Sequence, residues 1–266
     1  SELGREWAWG AYDEEGVRFA FFRTYEELCE LATETASMRS ALGPGMSTAQ
    51  RILAQYHRAH RDLQAALLGA GEGAVGRAPA EGEWPVHKVV AHIVGADLGF
   101  FVVVKYALDR WRTGDGRPAE IPDEAWDTIG GLDEAAFQAL VDGPFADLEV
   151  YHGTLHNRVL QELADIRDEE LAAPSMYWEG NEMSLRFRLH RFDSHLRQHT
   201  VQVEKTLGAV GHPPNEARRL LRLIYGALAD AEGATIGAWD AGRELRRATA
   251  ETIAARADEI AAILAE

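Results

Sequence analysis

The sequence predicts an all-α fold with four long helices at its centre. Apolar residues recur at helical spacing through several long segments, as in 47–69, where Ile52 and Tyr56 lie four residues apart. Breaks rich in glycine and proline separate these segments. No segment shows the strict alternation and tight turns that β-hairpins need. Together these patterns indicate helices packed around one core.

The first elements follow from these breaks. Residues 1–11 are aromatic and glycine-bearing and are predicted to form a coil or packed arm. An acidic triplet then favours the start of a helix, which is expected to reach about Met38. Gly-Pro-Gly within 41–47 ends this helix, and the serine-threonine pair after it can cap the next helix, 47–69.

Residues 84–112 form the most apolar stretch of the chain. They include FFVVV, which propensity alone would assign to a strand. The length of the stretch and the polar and charged residues spaced along it favour a mostly buried helix instead. The remaining predictions are a loop at 69–83, a turn-rich segment at 113–131, a short helix at 133–141, long helices at 144–171 and 184–208 joined through 173–184, and, after a break at 211–216, helices at 215–232 and 240–265.

The connection between the second and third central helices is long, at about residues 113–143. A short loop would force the two helices to be antiparallel neighbours, whereas a long one permits a crossover. At the other end of the chain, the alanine-rich tail is an amphipathic helix. We expect it to pack on its own chain, with a homodimer contact as the alternative.

Composition excludes several classes of partner. The 266 residues include 27 basic and 43 acidic side chains, a formal charge of −16. Such a chain is unsuited to nucleic acid or to an anionic membrane surface. No run approaches the roughly 18 apolar residues of a membrane span, and no signal peptide is visible. A single cysteine excludes a disulfide framework, so we expect a cytoplasmic protein.

The segment HRFDSHLRQHTVQ, residues 190–202, carries the clearest chemical signal. On a helix, His195 and His199 face the same side and can hold one metal ion between two imidazoles. The alternative is a pair of surface histidines on a charged turn. A zinc protease needs a glutamate directly after the first histidine, and Leu196 stands there, so that mechanism is not supported.

A metal site needs a third ligand, and the residues alone leave its identity open. His92 lies among valines and isoleucine and is either a core histidine, which its neighbours favour, or a ligand facing the bundle interior. His152 and His156 form another pair four apart, a competing or accessory site. His57 and His60 have arginine neighbours and are predicted to be solvated.

Two segments resemble one known family. EWPVHKVVAHIVGAD and RFDSHLRQHTVQVEKTLGAVG, in this order and with a long connection between them, resemble the signatures of the DinB/YfiT-like superfamily of metalloenzymes. The resemblance covers residues 46–210 and implies a four-helix bundle of up-down-down-up topology. Residues 1–45 and 211–266 would then be helical extensions, the second packed on the bundle or at a dimer interface.

The resemblance also implies a mononuclear metal site made by His92, His195 and His199. Three neutral imidazoles leave open coordination positions, as in catalytic metal sites. Zn or Ni is expected first, with Fe or Mn as further candidates. Gln202 and Asp193 are candidates to support the ligands, and Trp84 and Tyr151 to line a pocket beside His152 and His156. Asp97 is the weakest of these, because it lies about 140° around the helix from His92.

Relatives that use a low-molecular-weight thiol, such as bacillithiol or mycothiol, imply a function. The resemblance suggests a metal-dependent transferase that binds the thiol as thiolate, which attacks a small electrophilic molecule. One alternative is a metal-hydroxide hydrolase. Others are a sensor that binds a metal or small ligand, and a structural bundle without turnover.

Overall fold

A computed structural model describes residues 2–43 and 45–266 and confirms the all-α prediction. In this part of the chain the α-helices are α1 (Val17–Leu42), α2 (Thr48–Leu67), α3 (Glu72–Val75), α4 (Val86–Arg112), α5 (Asp123–Gly130), α6 (Glu134–Val141), α7 (Phe145–Leu163), α8 (Leu185–Ala209), α9 (Glu216–Gly233) and α10 (Arg243–Ala265). The chain divides into two compact units. One is Met46–Pro213, and the other combines Ser1–Gly45 with Pro214–Glu266.

The first unit is a bundle of four long helices, α2, α4, α7 and α8. Helix α8 packs against α2 and α4, while α7 packs against the other sides of the same two helices. In the side-chain contacts between α4 and α7, the residue numbers rise together along both helices. Asp97 meets His152, and Lys105 meets Glu162 two turns later. Helices α4 and α7 are therefore parallel.

Two other neighbouring pairs of the bundle, α2 with α7 and α4 with α8, run in opposite directions. The contacts that show this are His57 with His156 and His60 with His152 between α2 and α7, and His92 with His199 and Phe100 with Phe192 between α4 and α8. In each pair, the residue number rises on one helix as it falls on the other. The topology is therefore up-down-down-up, with the long crossover between α4 and α7.

Helix α4 forms the centre of the bundle. The FFVVV segment, residues 100–104, is helical and buried throughout, so tertiary packing overrides its strand propensity. By length and composition α4 is apolar enough to cross a membrane, but 67% of its most apolar window is buried inside the fold. A core helix passes the same test, so this is weak evidence for a membrane span.

The crossover contains more regular structure than the sequence predicts. Helix α5 forms in the segment expected to be turn-rich, with acidic residues in its first turn and Gly131 in the left-handed region after its last. The predicted helix 144–171 ends earlier, at Leu163, and a 3₁₀ turn follows at Asp168–Ala172. The connection to α8 holds a two-residue antiparallel ladder, β1 (Pro174–Ser175) with β2 (Met183–Ser184).

The second unit joins the two ends of the chain. Helices α9 and α10 both pack against α1, and Leu28 and Leu31 share a buried cluster with Ala227 and Ala231. Arg256 of α10 is buried and donates hydrogen bonds to Thr24 and Glu27 of α1. The aromatic arm before α1 buries Trp7.

Gly16 determines where α1 begins. Its φ of +63° and ψ of −145° lie in a region that is essentially restricted to glycine, and a Cβ there would lie 2.2 Å from the carbonyl oxygen of Arg5. We expect Gly16→Ala to lower the free energy of unfolding by about 3 kcal/mol. Gly10→Ala is the matched control, because Gly10 also has positive φ but open space around it, and should cost about 1 kcal/mol. Equal losses in urea denaturation would contradict the proposed clash with Arg5.

Candidate metal centre

His195 and His199 lie one turn apart on α8. The hydroxyl of Ser184 caps the helix by accepting a hydrogen bond from the backbone of Phe187, at 3.3 Å. The two imidazole rings have centroids 4.4 Å apart, and only 7% and 8% of the two residues is exposed. The pair is therefore held on an ordered helix and directed towards the bundle rather than towards solvent.

His92 faces this pair from the antiparallel helix α4. Its Nε2 lies 3.1 Å from Nε2 of His195, and its ring centroid is 4.6 Å from that of His199. One nitrogen from each of the three residues lies within 4.8 Å of the others. We call His92, His195 and His199 the triad. The two sequence motifs that resemble the family, one on α4 and one on α8, thus meet at one point.

The donor set of the triad fits a divalent transition metal. Two ligand nitrogens of a tetrahedral zinc ion are about 3.3 Å apart when each bond is 2.0–2.1 Å. The 3.1 Å separation of the His92 and His195 nitrogens is close to that value. Within the described residues, Nδ1 of His195 is buried and has no hydrogen-bond partner. A site built only from imidazoles suits Zn, Ni, Fe or Cu, and does not select among them.

Gln202 fixes the orientation of one ring of the triad. Its Oε1 lies 2.8 Å from Nδ1 of His199, so this nitrogen donates to the amide and Nε2 remains available as a ligand. Gln202 follows His199 by three residues on α8 and therefore lies on the same face.

The electrostatics of the site favour neutral imidazoles. Burial lowers the pKa of His195 to about 3, and positive charge on the neighbouring histidines and on Arg191 adds to the effect. Burial, followed by the nearby His199, also lowers the pKa of His92. At neutral pH the imidazoles of His195 and His92 are therefore neutral, so protons do not compete with a metal for their nitrogens.

A cavity of about 380 Å³ lies on the exposed side of the triad. Its lining residues are Gly82, Glu83, Trp84, His92, His199, Gln202, Lys205 and Thr206. Trp84 meets the ring of His92 edge-on, with centroids 5.6 Å apart. Phe100 closes the inner side with an edge contact to His195 at 5.7 Å. The triad is thus open to a small molecule on one side and apolar on the other.

Comparison with known families agrees with this geometry. The model of the DinB superfamily matches residues 55–203, more than half of the chain. The chain belongs to the DinB superfamily. The resemblance inferred from the two motifs is thereby confirmed, and the triad lies inside the matched region. Neither a curated protein nor a solved structure matches the chain.

The other candidates for the DinB-like site have different positions. Trp84 lines the cavity, whereas Tyr151 is not among its lining residues and lies half-buried on α7. Asp193 accepts a hydrogen bond from Arg197, one turn along α8, at 2.7 Å. Its carboxylate is therefore bound to Arg197, on a different face of α8 from the triad.

His152 and His156 lie away from the pocket in which the sequence placed them. They are buried between α7 and α2, together with His57 and His60. The prediction that His57 and His60 are solvated is wrong, since they are only 6% and 3% exposed. Helical spacing could have shown this, because both histidines continue the apolar face of α2 despite the arginines beside them.

Two residues near the triad were missed by the sequence reasoning. Arg191 lies one turn before His195, and its guanidinium is 5.8 Å from the ring centroid of Phe100. Lys205 lies three residues after Gln202 and lines the cavity. Helical spacing places both near the histidine face, and only their charge made them resemble ordinary surface residues.

Removing the amide of Gln202 tests its role. We expect Gln202→Leu to weaken zinc binding at the triad about tenfold, because losing a partner that orients a metal-bound histidine typically costs 10–100-fold. Gln198→Leu, on the exposed side of the same helix, should leave the affinity unchanged. A competition titration with a chromophoric chelator measures both. An unchanged affinity in Gln202→Leu would show that His199 needs no such support.

Proposed function

We propose that this DinB-superfamily chain is a metal-dependent transferase that joins a low-molecular-weight thiol to a small electrophilic molecule. The observation that carries the proposal is the triad itself, three imidazoles of which two, those of His92 and His199, line a cavity of about 380 Å³. A cavity of this volume admits a small ligand, and a metal held by three imidazoles would keep coordination positions open for it.

His92, His195 and His199 would hold the ion. When bound, a divalent ion on three uncharged ligands supplies a Lewis acid that lowers the pKa of a thiol or of water. The chain contributes the arrangement that makes this useful. Gln202 keeps His199 in the tautomer whose Nε2 faces the site, and Phe100 keeps water from the inner side.

The wall of the cavity is suited to a polar thiol. Lys205 and Glu83 supply charges of opposite sign, and Thr206 supplies a hydroxyl. Trp84 offers an aromatic surface beside His92. Such a lining can orient a small zwitterionic or sugar-bearing thiol through its polar groups while its sulfur approaches the triad.

The reaction is an S-transfer in which one bond at sulfur replaces another. The S–H bond of the thiol breaks, and its proton leaves to solvent or to the leaving group. The thiolate sulfur then forms an S–C bond to the electrophilic carbon, and the leaving group departs with its electron pair. No oxidant or reductant is needed.

A turnover assay tests the proposal. The zinc- or nickel-loaded chain is mixed with a chlorodinitrobenzene electrophile and a panel of low-molecular-weight thiols, and formation of the coloured thioether is followed. We expect acceleration with at least one thiol, its loss in His199→Ala, and its retention in His190→Ala, which replaces an exposed histidine on the same helix. Stoichiometric metal without turnover of any thiol would contradict the transferase and favour a metal-binding sensor.

A further inference from the structure

A second group of histidines lies inside the bundle, outside the triad and its cavity. His57 and His60 on α2 face His152 and His156 on α7, and all four are at least nine-tenths buried. We call these four residues the inner cluster. Contacts through Tyr56, Phe192 and Phe100 separate it from His195, since each of these rings packs on the next at 5.0–5.7 Å between centroids.

The inner cluster contains the same close approach of nitrogens as the triad. Nδ1 of His57 lies 2.9 Å from Nε2 of His156, compared with 3.1 Å between His92 and His195. The ring of His60 stacks on that of His156 at 3.8 Å and meets the edge of His152 at 4.7 Å. Four imidazoles from two helices thus form one connected set of ring contacts.

Several polar atoms in and beside the inner cluster are buried and lack a partner among the described residues. They are Nδ1 of His60, Nδ1 of His156 and Oδ1 of Asp97. Unpartnered buried polar atoms are costly and rare in folded proteins, and a bound ion is one of the ways in which they are satisfied. Three such atoms around one cluster point to a ligand rather than to packing alone.

Asp97 of α4 lies beside the inner cluster. Its fully buried Oδ2 accepts a hydrogen bond from the hydroxyl of Tyr56 at 2.8 Å and lies 3.1 Å from Nε2 of His152. A carboxylate that holds one nitrogen of an imidazole, so that the other can bind a metal, is a common support of metal sites.

The rings of the inner cluster are prepared to act as ligands. Burial lowers the pKa of His60 and of His156 well below the ordinary value, and the neighbouring histidines add to the effect. Both rings are therefore neutral at pH 7. Because the rings of His60 and His156 are stacked, one of them must turn about its Cβ–Cγ bond before both can share an ion. This torsion is intrinsically broad in histidine.

We propose that His57, His60, His152 and His156 form a second divalent-metal site inside the bundle, for an ion that prefers nitrogen ligands, such as Zn²⁺, Ni²⁺ or Cu²⁺. Asp97 orients His152 within it. An ion there joins α2 to α7 and stabilises the folded chain, since a ligand that binds only the native state raises its stability. This site is independent of the transferase proposal.

The test uses a variant that lacks the triad, His92→Ala with His195→Ala, and leaves the inner cluster intact. After incubation with zinc and removal of the excess, plasma mass spectrometry should find one equivalent per chain, and zinc should raise Tm. Adding His60→Asn and His156→Asn should remove both effects, whereas adding His190→Gln should remove neither. A triad variant that retains no zinc would overturn the proposal, as would one equivalent that survives the cluster substitutions.

One measurement does not depend on how the cluster variants fold. Anomalous diffraction at the zinc edge, on crystals of the triad variant, locates any ion directly. Density between α2 and α7, bonded to these imidazoles, is the expected result. Zinc at any other position would overturn the proposal. Loss or retention of the triad ion is read separately, from the difference between wild type and the triad variant.

Discussion

Replacing His195 with alanine is expected to lower the affinity of the triad for zinc by at least about a hundredfold. Mutating a residue that only hydrogen-bonds to a metal ligand already lowers metal affinity about 10–100-fold, and His195 is itself a proposed ligand. The ring of His195 contacts those of both other members of the triad, His92 and His199. Its loss leaves two imidazoles on different helices. A competition titration with zinc chelators measures the change, seen as the loss of one binding step.

Two controls make this result specific. His190→Ala removes an exposed histidine from the same helix and should leave the affinity unchanged. Circular dichroism should show the same helix content in both variants. If His195→Ala binds zinc as tightly as wild type at every step, the triad is not a metal site, and the three histidines are packing residues.

Arg188→Met is expected to lower the free energy of unfolding by about 2 kcal/mol, because a hydrogen bond to a charged group contributes roughly 1.5–3 kcal/mol and the buried guanidinium is lost from its partners. Arg188 is 2% exposed and forms an ion pair with Glu179. Its Nε donates to the hydroxyl of Ser175 at 3.1 Å, and its guanidinium lies 5.7 Å from the ring centroid of Tyr177. Arg188 thereby holds the segment that precedes α8 against the helix.

Urea denaturation followed by circular dichroism measures this loss. Arg186→Met is the matched control, because Arg186 is exposed on the first turns of the same helix, and it should change stability by less than about 0.5 kcal/mol. A similar stability for both variants would show that the pair with Glu179 contributes nothing beyond a surface ion pair.

The helices and two of the three members of the triad follow from local pattern. His195 and His199 lie four residues apart on a segment whose helical period is clear, so their common face is fixed by geometry alone. His92 is different, because its apolar neighbours favour a core histidine and leave a ligand as the alternative. Only the arrangement of α4 against α8, or the family resemblance, decides between these readings.

The parts that the sequence did not predict depend on long-range contacts. His57 and His60 looked solvated because arginines flank them, yet the position of α7 buries both. Asp97 was judged by its angle from His92, whereas its partners Tyr56 and His152 lie on two other helices. Helix α5 was concealed by the proline- and glycine-rich composition around it.

The most direct test of the metal centre is the difference in bound metal between wild type and the His92→Ala, His195→Ala double variant. Both proteins are incubated with Zn²⁺ or Ni²⁺, freed of excess ion and measured by plasma mass spectrometry. The triad predicts that wild type holds one equivalent per chain more than the variant, at unchanged helix content. Equal metal content in the two proteins would contradict the metal centre and remove the basis of the proposed transferase.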